Sequence, residues 1–257
     1  MSFTMENGVL KKYIEEEGVT SVSVPASVTV IGKKAFAGCQ LTAVELPEGL
    51  TKIEDSAFEN CKNLRRAALP QSVTSLGAMA FSGCTSLTEV SLPDDLTKIE
   101  ASTFAGCTNL RKVNLPEHLT AIDNVAFFRC VGLTQVKLPA GISTVSWSCW
   151  KGCTGLTQVI LPDSVTTIAD RAFEGCTHLE RLVLSPNVTK IGASAFASCI
   201  GLEEAELPEQ LTELGKNVFQ GCRRLRHITV PAGVAELPAG FALISMAICS
   251  LAPSIAS

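Results

Sequence analysis

Eleven cysteines, three histidines and two tryptophans are the residues of this 257-residue chain best suited to chemistry. Nine of the cysteines keep a clock. Cys39, Cys61, Cys84, Cys107, Cys130, Cys153, Cys176, Cys199 and Cys222 are separated by 22 residues once and by 23 thereafter. Stacked strands lie about 4.8 Å apart, inside the Cα separations of about 4.4–6.8 Å that a disulfide spans. Direction argues against bridges, because side chains in a ladder run parallel and nine members cannot pair evenly. Zinc needs ligands close together, but no C-x-x-C occurs, and Cys149-x-x-x-Cys153 has no histidine near it in sequence. A nucleophilic thiol needs an electropositive, partly exposed setting. Cysteines at a fixed point of an apolar repeat are predicted to be buried, reduced and packed as small apolar groups. His118, His178 and His227 fall in different columns of the repeat and cannot converge on one point. No phosphate-binding glycine motif, H-E-x-x-H or G-x-S-x-G is present. These residues point to no enzyme, no cofactor and no metal.

Charge narrows the partners. There are 21 basic and 25 acidic residues, a net charge of −4, and no basic face of the kind phosphate neutralisation requires. The short basic runs Lys62, Arg65, Arg66 and Arg223, Arg224, Arg226 share their columns with acids and read as solvated edges. Nucleic acid is not expected. Residues 1–18 lack the apolar segment of a leader, which on sequence alone places the chain in the cytoplasm. Residues from Leu237 to Ser257 carry no charge. Their prolines, their serines and the lack of flanking basic residues argue against a membrane span.

The elements that position these residues are repeats. Prolines follow the cysteine clock at Pro25, Pro47, Pro70, Pro93, Pro116, Pro139, Pro162, Pro208 and Pro231; one unit carries Ser185 in that slot and Pro186 one place later. The pattern is L-x-x-V-x-L-P-x-x-V/L-T-x-I-x-x-x-A-F-x-G-C-x-x, as in Leu87 to Asn109. Alternating Leu87, Val90 and Leu92 predict a strand with one buried face. Proline ends it, and a second short strand follows around Leu96–Ile99. Phe36, Phe58, Phe81, Phe104, Phe127, Trp150, Phe173, Phe196 and Phe219 form one aromatic column that predicts a core stack. The threonine column suits hydroxyls lying side by side. Glycine precedes cysteine in six of nine units, with Asn60, Arg129 and Ser198 in the others, which suits a left-handed residue closing a short helical turn.

The L-P-x-x-V-T-x-I segments (Leu161 to Ile168) and the A-F-x-G-C segments (Ala172 to Cys176) resemble the BspA-like leucine-rich repeats, a 23-residue subclass. The resemblance implies a leucine-rich-repeat right-handed solenoid, mostly β with short helical turns, with a parallel sheet along one face and about ten rungs. It further implies a secreted or cell-surface protein that adheres to host proteins. The array reads as a single domain over residues 1–257. Residues 1–18 form an N-terminal hairpin cap signalled by Asn7-Gly8, residues 19–237 the repeats, and residues 238–257 a degenerate C-terminal cap. A monomer is expected, with an end-to-end dimer through the open edge as the alternative.

The expected function is protein–protein interaction, with a protein or peptide partner and no small-molecule substrate. The rival is a cytoplasmic scaffold or regulatory protein, or a fragment of a larger chain, with no adhesive role. Residues flanking the buried valine of each first strand vary from unit to unit although the fold does not need that variety. Their middle set is Lys112, Gln135, Lys137, Gln158, Ile160, Arg181 and Val183. This mixture suits a partner with acidic and apolar groups, and Glu204 and Glu206 follow it. Trp147 is a second candidate contact. It stands where other units have small or polar residues, and a solvent-facing tryptophan suits a hot spot.

Overall fold

The computed structural model describes residues 2–234 and 249–251. Two antiparallel strands, β1 (Ser2–Glu6) and β2 (Val9–Ile14), open the chain. They turn through Asn7 (φ 48°) and Gly8 (φ 76°). β2 then pairs in parallel with Val30–Ile31 and so joins the repeats.

Each repeat contributes two short strands, and these stack into two parallel ladders. The first ladder begins with Ser21–Ser23, Ala43–Glu45, Arg66–Ala68, Glu89–Ser91 and Lys112–Val113. It continues with Gln135–Lys137, Gln158–Ile160, Arg181–Val183, Glu204–Glu206, His227–Val230 and Cys249–Leu251. The second runs through Val30–Ile31, Lys52–Ile53, Ser75–Leu76, Lys98–Ile99, Ala121–Ile122, Thr144–Val145, Thr167–Ile168, Lys190–Ile191 and Glu213–Leu214. The register advances one repeat per strand, as in Gln135↔Gln158 and Thr144↔Thr167. Strict pairing in the first ladder is interrupted three times, between Ala43–Glu45 and Arg66–Ala68, between Lys112–Val113 and Gln135–Lys137, and between Gln158–Ile160 and Arg181–Val183. Strands of two or three residues form few ladder bonds, so a small widening between rungs ends the pairing. Of the stretch from 238 to 257, only 249–251 lies among the described residues. Its backbone pairs in parallel with the preceding rung, Ile228 opposite Cys249.

The expected short helical turns are not helices. The segment after each second strand is a run of turns, and no helix occurs among the described residues. The cause is two left-handed residues in every turn, four places apart. One column is Gly38, Asn60, Gly83, Gly106, Arg129, Gly152, Gly175, Ser198 and Gly221. The other is Lys34, Ser56, Met79, Ser102, Val125, Ser148, Arg171, Ser194 and Asn217, none of them glycine. An α-helix cannot pass through either position. The turn N–H groups instead bond to the next rung, as in Phe36 N to Ala57 O (2.8 Å) and Gly38 N to Glu59 O (2.7 Å). The turns therefore form a third line of inter-rung hydrogen bonds.

One core runs from Leu10 to Val230. Its aromatic stack starts in the hairpin, where Tyr13 stacks on Phe36 with centroids 5.3 Å apart. The column continues at 4.9 Å (Phe36–Phe58), 5.0 Å (Phe58–Phe81) and 4.3 Å (Phe127–Trp150). The threonines do not pair sideways. Hydroxyls of the column donate instead to the backbone carbonyl one rung back, as Thr51 Oγ1 does to Thr29 O (3.1 Å) and Thr120 Oγ1 to Thr97 O (3.1 Å).

Candidate functional site

Ten of the eleven cysteines, those from Cys39 to Cys222, are buried and free. Eight thiols of the column donate to the carbonyl of the aromatic residue one rung earlier, from Cys61 Sγ to Phe36 O (3.0 Å) through Cys222 Sγ to Phe196 O (3.1 Å). Burial pushes the Cys107 and Cys153 thiols up to about 12 and holds those of Cys130, Cys149, Cys176 and Cys199 well above the ordinary thiol value. A thiol held protonated and out of water is a poor nucleophile and a poor metal ligand. These residues are the column's internal bracing. His118, His178 and His227 are exposed at separate points of the repeat.

The variable residues of the first ladder gather on one surface. Lys112, Gln135, Lys137, Gln158, Ile160, Arg181 and Val183 all point outward from consecutive strands, because the valine or leucine between them is buried. Ile160 is 48% exposed and Val183 65%. Three adjoining clefts cross this face. The first, of about 280 Å³, is lined by Arg111, Lys112, Lys137 and Ile160 among others. The second, of about 330 Å³, has Ile160, Val183, Leu184 and Pro186 in its wall. The third, of about 450 Å³, lies between Arg181 and Thr229, with Glu204, Glu206 and Glu209. The first two overlie two of the three interruptions in strand pairing, those after Lys112–Val113 and after Gln158–Ile160. Open, shallow clefts of this kind suit a macromolecular segment better than an enclosed small molecule.

The wall of the second cleft depends on the one irregular proline. Ser185, in the proline slot, is buried. Its hydroxyl accepts from Asn187 N (3.2 Å) and donates to Asp163 O (3.4 Å). Val188 N still bonds Ser185 O (3.2 Å), as Val165 N bonds Pro162 O. The turn is thus preserved while Pro186 is displaced outward into the clefts. Sequence reading singled out the shifted proline but not its place in the site.

Trp147 lies elsewhere. It follows the second-ladder strand Thr144–Val145, is 45% exposed and lines none of these three clefts. Its N–H bonds Asn124 Oδ1 (3.1 Å), and its carbonyl accepts from Val125 N (3.0 Å). In the neighbouring turn, Phe128 carries the Arg129 guanidinium 5.2 Å from its ring centroid.

The profile described as BspA type leucine rich repeat region matches residues 11–134 and 120–241, in six copies. A comparison with curated proteins finds no match. Among solved structures, the T. pallidum leucine-rich repeat protein TpLRR is 30% identical, over 66% of this chain and 82% of that one, with a TM-score of 0.63. A leucine-rich repeat protein from Eubacterium ventriosum is 28% identical over 69% of this chain, with a TM-score of 0.63, and the match spans 48% of that protein. The pneumococcal vaccine antigen PcpA shares the fold at 19% identity, over 95% of this chain and 78% of that one, with a TM-score of 0.51. The repeat architecture common to the profile and these structures supports a protein-interaction module in general. With the profile spanning most of its length, the chain belongs to the BspA-type leucine-rich repeat family.

Proposed function

We propose that the chain is a non-enzymatic interaction module that takes a protein or peptide partner on the outward face of its first ladder. The observation that carries this reading is the pair Ile160 and Val183, exposed on consecutive strands inside a cleft. Apolar side chains on an open face cost solubility unless a partner covers them. Around them, Lys112, Lys137 and Arg181 form no ion pair with any described residue. A desolvated apolar centre with a charged rim is the usual anatomy of a binding patch. Adhesion to host proteins at a bacterial surface is the version of this reading that the family resemblance favours. Trp147 supplies a secondary contact outside the face.

The test compares the wild-type chain with the double variant Lys137→Glu, Arg181→Glu against partners recovered from host-matrix and self-lysate proteins. Affinity for a face-bound partner should fall by more than about tenfold while the melting temperature holds. Equal affinity of the two proteins for every recovered partner would overturn the reading.

A further inference from the structure

The three clefts carry different charge, and they carry it in order. Arg111, Lys112 and Lys137 line the first, with no carboxylate. The second is largely apolar around Ile160 and Val183, with Asp163 and Arg181 of opposite sign at its margins. The third holds Glu204, Glu206 and Glu209 against Arg181 alone. Along the solenoid axis the face therefore runs basic, apolar, acidic. The second ladder has no such order, because its lysines are neutralised in place: Lys98 by Glu100 and Asp123, Lys190 by Glu213.

We propose that the first-ladder face binds an extended peptide segment laid along the solenoid axis, with residues in the order acidic, aliphatic, basic. The inference rests on the proposed function and narrows it to one partner class. The acidic end lies over Lys112 and Lys137, the aliphatic residues over Ile160 and Val183, and the basic end over Glu204 and Glu206. From the Lys112 strand to the Glu204 strand there are four rung steps of about 4.8 Å, or about 19 Å, which an extended chain covers in about six residues. Charge at both ends fixes the direction in which the segment lies, and the apolar centre supplies the desolvated contact. A uniformly acidic polymer does not fit, because half its length would lie against Glu204, Glu206 and Glu209.

The experiment is a displayed library of octapeptides, panned against the full chain. Each member has two Asp or Glu, two Leu, Ile or Val, and two Lys or Arg as blocks, in every block order, between Gly and Ser ends. Orders with the aliphatic block in the middle should be enriched by about tenfold over orders with it at an end, and one of the two chain directions should dominate. The variant Lys112→Glu, Lys137→Glu should lose the selected peptide and regain binding when its two acids are replaced by lysine. Equal recovery of all orders, no recovery, or failure of the charge swap overturns the proposal. A fully random library is panned in parallel. Binders from it that are lost in Lys137→Glu, Arg181→Glu but show no charge order sink this inference and leave the face reading standing. Binders indifferent to that double variant sink both.

Discussion

The two ladders are built from the same repeat, yet they treat charge in opposite ways. On the second, Lys98 lies 2.9 Å from Glu100 and 3.0 Å from Asp123, Lys190 lies 2.7 Å from Glu213, and Lys52 lies 3.6 Å from Glu54. On the first, Arg66, Lys112, Lys137 and Arg181 have no such partner among the described residues, although Glu89 and Glu204 sit on adjacent strands. Paired charges leave little external field, and unpaired ones leave a patterned field available to a partner. The difference separates variation that the molecule absorbs internally from variation that it presents.

Both ladders stand on one cysteine–aromatic core, so removing that core is the hardest test of the comparison. A thiol whose pKa rises on folding keeps its proton more firmly in the folded chain. Its stabilisation is complete below the unfolded value of 9.0 and is lost as pH climbs toward about 12. Each buried thiol contributes a loss of up to about 1.4 kcal/mol per pH unit in that window. Cys107, Cys130, Cys149, Cys153, Cys176 and Cys199 all contribute, so a total stability of about 5–15 kcal/mol should be exhausted near the lower end of the window. Circular dichroism should show a single alkaline transition above about pH 9. At pH 8 the native protein should resist thiol reagents, and the denatured, unreduced protein should titrate close to eleven thiols. Recovery of two or three thiols, or separate transitions for the two sides, would break the shared-core account.

The next test sets the ladders against each other. Lys137→Glu with Arg181→Glu should weaken partner binding by more than about tenfold at an unchanged melting temperature. The matched double variant of the second ladder, Lys98→Glu with Lys190→Glu, should leave binding within about twofold. If the second-ladder variant binds worse than the first, the assignment of faces is reversed.

How much of this was legible in the sequence depends on whether a column has one residue type. Cys, Pro and Phe repeat as letters, so the solenoid, the aromatic stack and the buried thiols could be read directly. The Lys34–Asn217 column could not, because Lys, Ser, Met, Val, Arg and Asn share nothing except a left-handed backbone. Its invisibility is why helical turns were expected where none form. Tyr13 was missed although it lies 23 residues before Phe36, so the period itself would have found it. The outward residues of the first ladder followed from alternation around a buried valine. The clefts did not, because two of the three overlie interruptions in strand pairing, and no residue type marks those.

The left-handed column joins the two ladders through the turns, and one member is ill suited to it. Val125 has φ 63°, where a β-branched side chain crowds the backbone. Its N–H is spent on Trp147 O, which holds the strained turn in place. Val125→Asn should raise stability by about 1 kcal/mol, read by urea denaturation, without changing binding at the first-ladder face. A destabilised variant would show that the valine's packing outweighs its backbone cost.

The smallest effect asks whether the ion pairs of the second ladder are real couplings. The Lys98 ammonium bridges its own rung and the next, and the hydrogen bonds it donates to Glu100 and then to Asp123 raise its pKa. The lysine and both carboxylates remain well exposed, so solvent screens most of the attraction. Lys98→Ala should cost about 0.2–1 kcal/mol. That cost should shrink in 1 M salt, where the screening length falls to about 3 Å. Lys112→Ala, on the other ladder, has no pair to lose and should leave stability unchanged at either salt concentration. An equal, salt-sensitive loss in Lys112→Ala would mean that its charge is already engaged within the molecule, and the contrast between the two faces would fail with it.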